Sequence, residues 1–482
     1  MAKPTTVHFP KNFKFGVSTS AYQIEGGWNE DGKSESIWDY YTHTFPQRIV
    51  NLTSGDISCD SYHKFEEDIA NIKRLKVQFY RFSISWCRIL PSGHPNKINH
   101  AGIDYYNRLI NALIQNNIEP VATLFHWDIP LSINNLGGWC NPITSDYFAS
   151  YARVCFKHFG DRVKTWITIN EPILIAMRAY GGAQLAPAYD SKGIGSYLSG
   201  HGELLGHMKA YHIYDKEFRA IQKGRIGITN DARWGEPATQ TPEDIEAAER
   251  YMQMDLGWFA HPIFSKEGNY PLIMRELIDT VSKNQGFDQS RLPKFTPEEI
   301  QLLKGSSDFF GLNHYNTVAV KHGNTEVPPT NENDINCTTF YDPSWKTNGS
   351  ELFRVVPWGF RKLLNWIKNE YNNPEVIVFE NGFAGNDTET LNDIDRIDYM
   401  RSYMAAMSDA ILKDNCRVTG YTFWTLMDNF EWQDGYTVKF GLHHVDFKDP
   451  NRKRTPKRSA FVYQDIVVTR CLTNPIPDRF LH

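Results

Sequence analysis

Short runs of β-branched and aromatic residues alternate along the chain with longer segments whose apolar residues recur at helical spacing. Eight of the short runs have the length and composition of buried strands. They are residues 13–20, 77–85, 120–126, 165–170, 225–230, 308–315, 376–380 and 420–426. A strand followed by a helix, repeated eight times, predicts an α/β fold, a single (β/α)8 TIM barrel.

The length of the chain predicts long loops in this barrel. Barrels of this type need about 250 residues, whereas the chain has 482. The surplus is expected in insertions that follow strands, the largest around residues 230–304 and 318–351. Because no repeat of fixed period and no Pro-, Ser- or Gly-rich linker divides the sequence, residues 1–482 are interpreted as one domain.

Charge and hydropathy exclude several classes of partner and site. The chain has 51 Lys and Arg against 56 Asp and Glu, a net charge of −5, and no long basic tract, so neither nucleic acid nor an anionic membrane surface is expected as a partner. No apolar run approaches the ~18 residues of a membrane span. The seven cysteines lack paired short spacing, which argues against a disulfide framework and a zinc site. Neither a metal nor a cofactor is predicted.

The start of the chain carries no recognisable targeting signal. Residues 1–12 lack the apolar stretch of a secretory signal in this numbering. The compartment is therefore left open between secretion, after removal of a signal, and the cytoplasm. The sequence also leaves the oligomeric state open between a monomer and a homodimer.

Polar and aromatic residues gather where the predicted strands end. In a (β/α)8 barrel the active site forms at the carboxyl ends of the strands, so residues far apart in sequence meet there. The candidates, in chain order, are Gln23, Glu25, Arg81, His126, Asn170, Glu171, Asn313, Tyr315, Glu380, Trp424, Glu431 and Trp432. Aromatic residues make up 14% of the chain, and their flat faces suit the faces of sugars as well as core packing.

Two of these candidates, Glu171 and Glu380, are carboxylates that end the predicted fourth and seventh strands. Glycoside hydrolysis needs such a pair, and a retaining enzyme holds the two carboxyl groups ~5–5.5 Å apart. Apolar neighbours such as Trp166 predict that Glu171 stays protonated and acts as the acid/base. Arg81 and a hydrogen bond from Tyr315 are expected to keep Glu380 ionised, as a nucleophile requires.

Several motifs occur together and in order along the chain. They are Y-Q-I-E-G-G-W-N-E-D-G-K (22–33), Y-R-F-S-I-S-W-C-R-I (80–89), H-W-D (126–128), T-I-N-E-P (168–172), G-L-N-H-Y (311–315), F-E-N-G (379–382) and N-F-E-W (429–432). A single one of them would be a weak signal. In this combination the chain resembles glycoside hydrolase family 1 over nearly its whole length, and most of all the insect β-glucosidases and myrosinases of that family.

The resemblance implies a retaining β-glycosidase that hydrolyses terminal β-D-glucosides by double displacement through a covalent glycosyl-enzyme, with a small-molecule glycoside as its partner. In the family pattern Glu171 matches the acid/base and Glu380 the nucleophile. The residues that match sugar-binding positions are Gln23, His126, Asn170, Glu431 and Trp432 for the hydroxyls, Trp424 for the stacking platform, and Tyr315 beside the nucleophile. Trp358 resembles an aromatic residue that packs against the aglycone at the entrance, and Arg81 and Asn313 support the site.

Single residues bear on three alternative functions. Glu431 would repel a 6-phosphosugar, which disfavours the phosphoglycosidase branch of the family. Plant thioglucosidases have Gln in place of the acid/base, so Glu171 favours O-glycosides, while a myrosinase of the animal type, which hydrolyses glucosinolates, remains an alternative. A glycoside-binding pseudoenzyme would be favoured by loss of either glutamate, and both Glu171 and Glu380 are present.

The aglycone and the exact sugar stay open at this stage. Glucose is favoured over galactose and fucose, although the same polar residues accommodate more than one sugar. Arg178 falls in a loop expected to shape the aglycone side. It either contacts an anionic aglycone or, as the more ordinary interpretation, is solvated or paired with a carboxylate.

Overall fold

Eight parallel strands close into a barrel in a computed structural model that describes residues 9–323, 334–351, 353–386, 388 and 390–472. The strands are β1 (Lys14–Ser18), β2 (Phe79–Ser83), β3 (Glu119–Phe125), β4 (Thr165–Asn170), β5 (Arg225–Asp231), β6 (Phe310–Asn313), β7 (Val376–Glu380) and β8 (Val418–Trp424). Each strand pairs with the next one along the chain, and β8 pairs with β1. The predicted (β/α)8 barrel is confirmed.

Helices alternate with these strands. Those of eight or more residues are Ile37–Thr44, Ser61–Leu75, His100–Gln115, Thr144–Phe159, Gly195–Ile213, Pro242–Asp255, Gly257–Phe264, Leu272–Asn284, Pro357–Glu370, Ile394–Leu412 and Arg458–Thr469. Shorter α-helices are Ala21–Ile24, Trp86–Ile89, Leu131–Asn134, Pro172–Leu174, Arg219–Gln222 and Pro297–Leu303. Single turns of other types are Pro46–Arg48, Val50–Leu52, Gly138–Cys140, Ile175–Ala179, Tyr214–Phe218 and Trp432–Asp434. In the described part of the chain, no helix combines the length and the apolar character that a membrane crossing requires.

The predicted strand positions agree closely with the structure. The predictions for β4 and β7 match at both ends. Strands β4 and β7 are buried along their whole length, and buried parallel strands are near-continuous apolar runs, which makes them easy to recognise in a sequence. Strands β2, β6 and β8 differ most from their predicted ranges, each by two residues at both ends.

Both long insertions are present, and they share a small sheet that the sequence did not predict. Trp234–Pro237, from the loop after β5, pairs in parallel with Thr317–His322, from the loop after β6. Cys337–Phe340 adds an antiparallel third strand. A second small sheet pairs His443–Val445 with Arg454–Pro456 after β8. The first sheet joins residues from two different loops, so no local pattern in either loop reveals it.

An apolar cluster fills the lower part of the barrel lumen. Its members are Phe79, Val121, Ile167, Phe309, Ile377 and Phe379. Because alternate residues of a strand point to the same side, Arg81 and Thr123, two positions beyond Phe79 and Val121, point into the lumen above the cluster. There Nε of Arg81 donates a hydrogen bond to Oγ1 of Thr123 at 3.1 Å. The cluster is therefore the floor of a polar site.

Alanine at position 16 is expected to destabilise this barrel. A Cβ atom at Gly16 of β1 would overlap the ring of Phe79, its partner in β2. Overpacking of a filled core costs about 1–3 kcal/mol, so Gly16→Ala should lower the urea concentration at the unfolding midpoint, followed by tryptophan fluorescence. The double variant Gly16→Ala, Phe79→Leu relieves the overlap and should lose less stability than its two single variants together. Strictly additive losses would contradict the argument.

Candidate active site

The carboxyl ends of the strands surround a cavity of about 250 Å3. The predicted residues that line it are Gln23, His126, Glu171, Tyr315, Glu380, Trp424, Glu431 and Trp432. Three more predicted residues, Arg81, Asn170 and Asn313, lie behind this lining with no solvent exposure. Trp358 is separate from them: it is 41% exposed, packs edge-on against Trp345 and is not among the residues that line the cavity.

The backbone is irregular at the ends of β4 and β7, and this directs the side chains of Glu171 and Glu380 into the cavity. The pairing of β4 with β5 shifts register between Ile167 and Asn170, and that of β7 with β6 shifts between Val378 and Glu380. Irregularities of this kind redirect a side chain at the end of a strand. Glu171 also has a left-handed backbone, with φ 51° and ψ 60°, which is strained for a residue with a Cβ atom. Its backbone N–H donates to the carbonyl of Thr229 at 2.8 Å, which fixes this turn.

Arg81 holds Glu380 from below. One terminal nitrogen of its guanidinium donates to Oε1 of Glu380, and the other donates to Oδ1 of Asn170 at 2.5 Å. From the cavity side, the hydroxyl of Tyr315 donates to Oε2 of Glu380 at 2.8 Å. Both carboxylate oxygens of Glu380 therefore accept hydrogen bonds, which favours the ionised form.

Asn313 holds Glu171. Its amide nitrogen donates to Oε1 of Glu171 at 2.7 Å and to Oδ1 of Asn170 at 3.1 Å. Since the Asn170 oxygen already accepts from Asn313 and Arg81, its amide N–H2 faces Nε2 of His126, 3.3 Å away. Burial and the nearby Arg81 lower the pKa of His126 well below its usual range, so this imidazole is neutral and accepts the bond. One chain of hydrogen bonds thus links both glutamates to His126.

The pKa values of the two glutamates are shifted differently by their surroundings. It raises the pKa of Glu171 well above its usual range, and the charge of Glu380 adds to the rise. Burial also raises the pKa of Glu380, but there the Arg81 guanidinium and the hydrogen bond from Tyr315 oppose it. The two environments therefore favour the proton on Glu171 and the charge on Glu380.

Gln23 and Glu431 form a polar wall opposite the glutamate pair. The amide nitrogen of Gln23 donates to Oδ1 of Asn429 at 3.0 Å and to Oε2 of Glu431 at 3.3 Å, while Ser20 donates to the Gln23 oxygen at 2.6 Å. Among the described residues, Oε1 of Glu431 is buried and has no hydrogen-bond partner. A buried acceptor of this kind is satisfied when a hydroxyl-bearing ligand enters the cavity.

Aromatic rings form the remaining wall. The ring of His126 stacks on Trp424 at 5.9 Å and on Trp432 at 6.1 Å between centroids, with interplanar angles of 12° and 16°. Trp127 packs on Trp432 at 4.7 Å. A flat apolar wall facing hydrogen-bonding groups matches a pyranose, which has apolar C–H faces and a rim of hydroxyls.

A comparison with known proteins identifies the family of this chain. Residues 5–471 match the sequence model of Glycosyl hydrolase family 1. The chain belongs to this family. It is a glycoside hydrolase with β-glucosidases and a myrosinase among its relatives, and the resemblance seen in the motifs is confirmed.

Three relatives illustrate the likeness. "Myrosinase 1" of Brevicoryne brassicae is 50% identical over 463 residues, which cover 96% of this chain and 98% of that protein. The solved structure of an aphid myrosinase has a TM-score of 0.93 and 48% identity, and the match covers 97% of this chain and 100% of the other. A rice β-glucosidase mutant in a covalent complex with glucose has a TM-score of 0.90 and 38% identity, and the match covers 95% and 98% of the two chains.

Some residues of this glycosidase line the cavity or contact its lining although the sequence did not identify them as candidates. Asp231, the last residue of β5, and Arg233, two positions beyond it, line the cavity, and their position at a strand end was the available signal. Nε1 of Trp127 donates to the carbonyl of Asn170 at 3.0 Å. Glu25, one of the candidates at the predicted strand ends, accepts from Arg88 at 3.1 Å and is not among the residues lining the cavity. No group of three or more His, Cys, Asp or Glu residues in the described ranges is arranged to hold a metal ion.

Removal of Arg81 is expected to shift the pH dependence of hydrolysis. Because the guanidinium opposes the rise of the Glu380 pKa, Arg81→Met should raise this pKa further and move the acidic limb of kcat/KM on nitrophenyl β-D-glucoside to higher pH. Tyr315→Phe removes one hydrogen bond and should shift the limb in the same direction by less. An acidic limb that stays in place in both variants, at an unchanged thermal midpoint, would show that these contacts do not control Glu380.

Proposed function

We propose that residues 1–482 act as one catalytic domain that hydrolyses terminal β-D-glucosides with retention of configuration, with Glu380 as the nucleophile and Glu171 as the acid/base. The observation that carries this assignment is the unequal environment of two carboxyl groups in one cavity. Arg81 and Tyr315 both bond to Glu380, whereas Glu171 accepts from Asn313, a neutral amide. A charged attacking group beside a protonated one is what the first step needs.

In the first step, a carboxylate oxygen of Glu380 attacks the anomeric carbon from the face opposite the aglycone. The bond from this carbon to the glycosidic oxygen breaks, and Glu171 transfers its proton to that oxygen. The aglycone leaves as an alcohol, and the sugar stays attached to Glu380 as an α-linked ester.

In the second step, Glu171 acts as the base. The ester no longer has the charge of Glu380, and that charge is one of the causes that raise the pKa of Glu171. The pKa of Glu171 therefore falls once the ester forms, and its carboxylate can take a proton from water. The water oxygen attacks the anomeric carbon, the bond to Glu380 breaks, and the β-sugar is released.

The polar wall and the stacked rings bind the sugar in this proposal. Gln23, His126 and Glu431 receive hydroxyl groups at the far end of the cavity, and Trp424 and Trp432 cover the apolar faces. Asn170, which precedes the acid/base, is assigned to the 2-hydroxyl, whose hydrogen bond strengthens in the transition state. The covalent glucose complex of the rice relative supports both the ester intermediate and glucose as the sugar.

Thioglucoside hydrolysis is a second candidate, favoured by the 50% identity to "Myrosinase 1". Thiols are more acidic than alcohols, with an unperturbed pKa near 8.5 for cysteine, so a thiolate can leave without receiving a proton. Glu380 would then carry the first step alone, and Glu171 would serve only as the base in the second. The same cavity can therefore perform both reactions.

Two substitutions separate the proposed roles. Glu380→Gln should abolish release of nitrophenol from nitrophenyl β-D-glucoside, because no ester can form. Glu171→Gln should lower kcat/KM about 10²–10⁴-fold on alkyl glucosides, the usual contribution of a general acid, and much less on dinitrophenyl glucoside, whose leaving group needs no proton. Glu375→Gln is the matched control, since Glu375 precedes β7 at the opposite end of the barrel and bonds to Arg225 at 2.9 Å. Equal rates for Glu380→Gln and Glu375→Gln would refute the assignment.

Thioglucosides test the second candidate. If the wild-type enzyme hydrolyses a glucosinolate, Glu171→Gln should reduce kcat/KM for this substrate less than for an alkyl O-glucoside, because kcat/KM reports the step in which the aglycone leaves. The rate of glucose release at low substrate concentrations gives kcat/KM, and the rate at saturation gives kcat. The second candidate is rejected if the wild type releases no glucose from glucosinolates while it hydrolyses O-glucosides.

A further inference from the structure

A small polar chamber lies behind the wall that is proposed to bind the sugar. Its volume of about 10 Å3 is room for one water molecule. Two segments of the chain contribute to both spaces. Gln23 and His126 line the catalytic cavity, whereas Glu25 and Asp128, two positions further along each segment, line the chamber. Groups in the chamber can therefore influence sugar-binding side chains without touching the sugar.

The acidic and basic groups around this chamber do not balance. Nζ of Lys33 donates to Oδ2 of Asp39 at 2.7 Å, and Nε of Arg88 donates to Oε2 of Glu25 at 3.1 Å. Asp128 is the third carboxyl group and is 2% exposed, and it forms no ion pair within 4 Å among the described residues. Two cations thus neutralise two carboxylates, and the third carboxyl group has no cation of its own.

This surplus acid is in a setting that favours its proton. Burial raises the pKa of Asp128 to about 8 and the charge of Glu25 adds to the rise, while Lys33 and the backbone groups of Asp128 and His126 oppose it only in part. At neutral pH the group is therefore mostly a neutral acid, which can donate a hydrogen bond. Burial also raises the pKa of the other titratable side chains nearby, which are Tyr22, Cys87, Tyr106 and Tyr151.

Three buried polar atoms of the chamber lining have no hydrogen-bond partner among the described residues. They are Oδ1 of Asp128, Oδ1 of Asp39 and Oγ of Ser85. Buried polar atoms in folded proteins are almost always paired, often with an internal water molecule. One water molecule in the chamber satisfies all three, because it can accept from protonated Asp128 and donate to Asp39 and Ser85.

The turn that ends at Asp128 is strained. Trp127 has a left-handed backbone with φ 70°, although it has a Cβ atom. Such a conformation persists only when the surrounding contacts fix it. On the cavity side, Trp127 packs on Trp432 and donates to the carbonyl of Asn170. On the other side, Asp128 is the residue of this turn that lies in the chamber.

We propose that Asp128 is a positioning residue for sugar binding, which holds the turn of His126 and Trp127 in place. As a neutral acid, it bonds through one water molecule to Asp39 and Ser85. The proposal rests on the sugar-binding roles given above. Ionisation of Asp128 places a third negative charge beside only two cations, and the repulsion allows the strained turn to relax. Glucose is therefore expected to bind more weakly as Asp128 loses its proton.

The pH dependence of inhibition by glucose tests this proposal. The inhibition constant Ki of glucose is measured on nitrophenyl β-D-glucoside hydrolysis from pH 6 to pH 9. If only the protonated form of Asp128 binds glucose, Ki of the wild type rises about tenfold between pH 7 and pH 9. Asp128→Asn keeps the shape and cannot ionise, so its Ki should lack this rise. Because Glu171 titrates in both enzymes, the difference between them isolates Asp128.

Two further variants complete this experiment. Asp128→Ala removes the hydrogen-bonding group and should bind glucose weakly at every pH, whereas Asp128→Asn should bind as the wild type does at pH 7. Asp31→Asn is the matched control, since Asp31 is exposed, accepts from Tyr62 at 2.6 Å and lies on the same loop as Lys33. It should keep the pH dependence of the wild type. The proposal is overturned if Ki of the wild type is equal at pH 7 and pH 9, or if Asp128→Asn shows the same rise.

Thermal unfolding gives a second readout that needs no substrate. An unfolded aspartate has a pKa near 3.9, so the folded protein holds one more proton between about pH 4 and pH 8 and loses stability as the pH rises through this range. Asp128→Asn lacks this loss, and its Tm should exceed that of the wild type by a margin that grows from pH 5 to pH 8. A margin that is independent of pH would overturn the neutral acid. Failure of the wild type to hydrolyse any β-D-glucoside would instead refute the glucosidase function, and the thermal readout would still decide on Asp128.

Discussion

The catalytic end of this barrel depends on one buried ion pair, between Arg81 and Glu380. Their side chains are 0% and 4% exposed, so both charges have lost their water. An isolated buried charge costs several kcal/mol, and the pair is tolerable only if every donor and acceptor finds a partner. Here Arg81 also donates to Thr123 and Asn170, and Glu380 accepts from Tyr315. Since β2 and β7 are not neighbours in the barrel, the pair crosses the lumen and exists only when the barrel is closed.

This ion pair also determines which of the two glutamates holds the charge and which holds the proton. Charging both of two carboxyl groups in one small cavity costs electrostatic free energy, so the group with the cationic partner keeps its charge. The other then takes the proton because the first is charged, which is the effect of Glu380 on the pKa of Glu171. In the proposed mechanism, ester formation removes this charge and with it one cause of the raised pKa of Glu171. On this proposal the same carboxyl group serves as the acid in the first step and as the base in the second.

The sequence was sufficient for the strands and for most residues of the site. Strands β4 and β7 were predicted without error, because a buried parallel strand is a short apolar run whose ends are marked by polar residues. Polar residues at those ends were natural candidates, since all strand ends of a (β/α)8 barrel meet at one face. Gln23 and Glu431, separated by 408 positions, are hydrogen-bonded as a result.

What the sequence did not provide depends on contacts between distant segments. The left-handed backbone at Glu171 and the register shifts beside it result from pairing with β5, which leaves no mark in the local residue pattern. The sheet of Trp234–Pro237 and Thr317–His322 joins two different loops for the same reason. Trp358 shows the limit of a motif. The resemblance assigns this residue to the aglycone entrance, whereas the loops around it determine that it packs against Trp345.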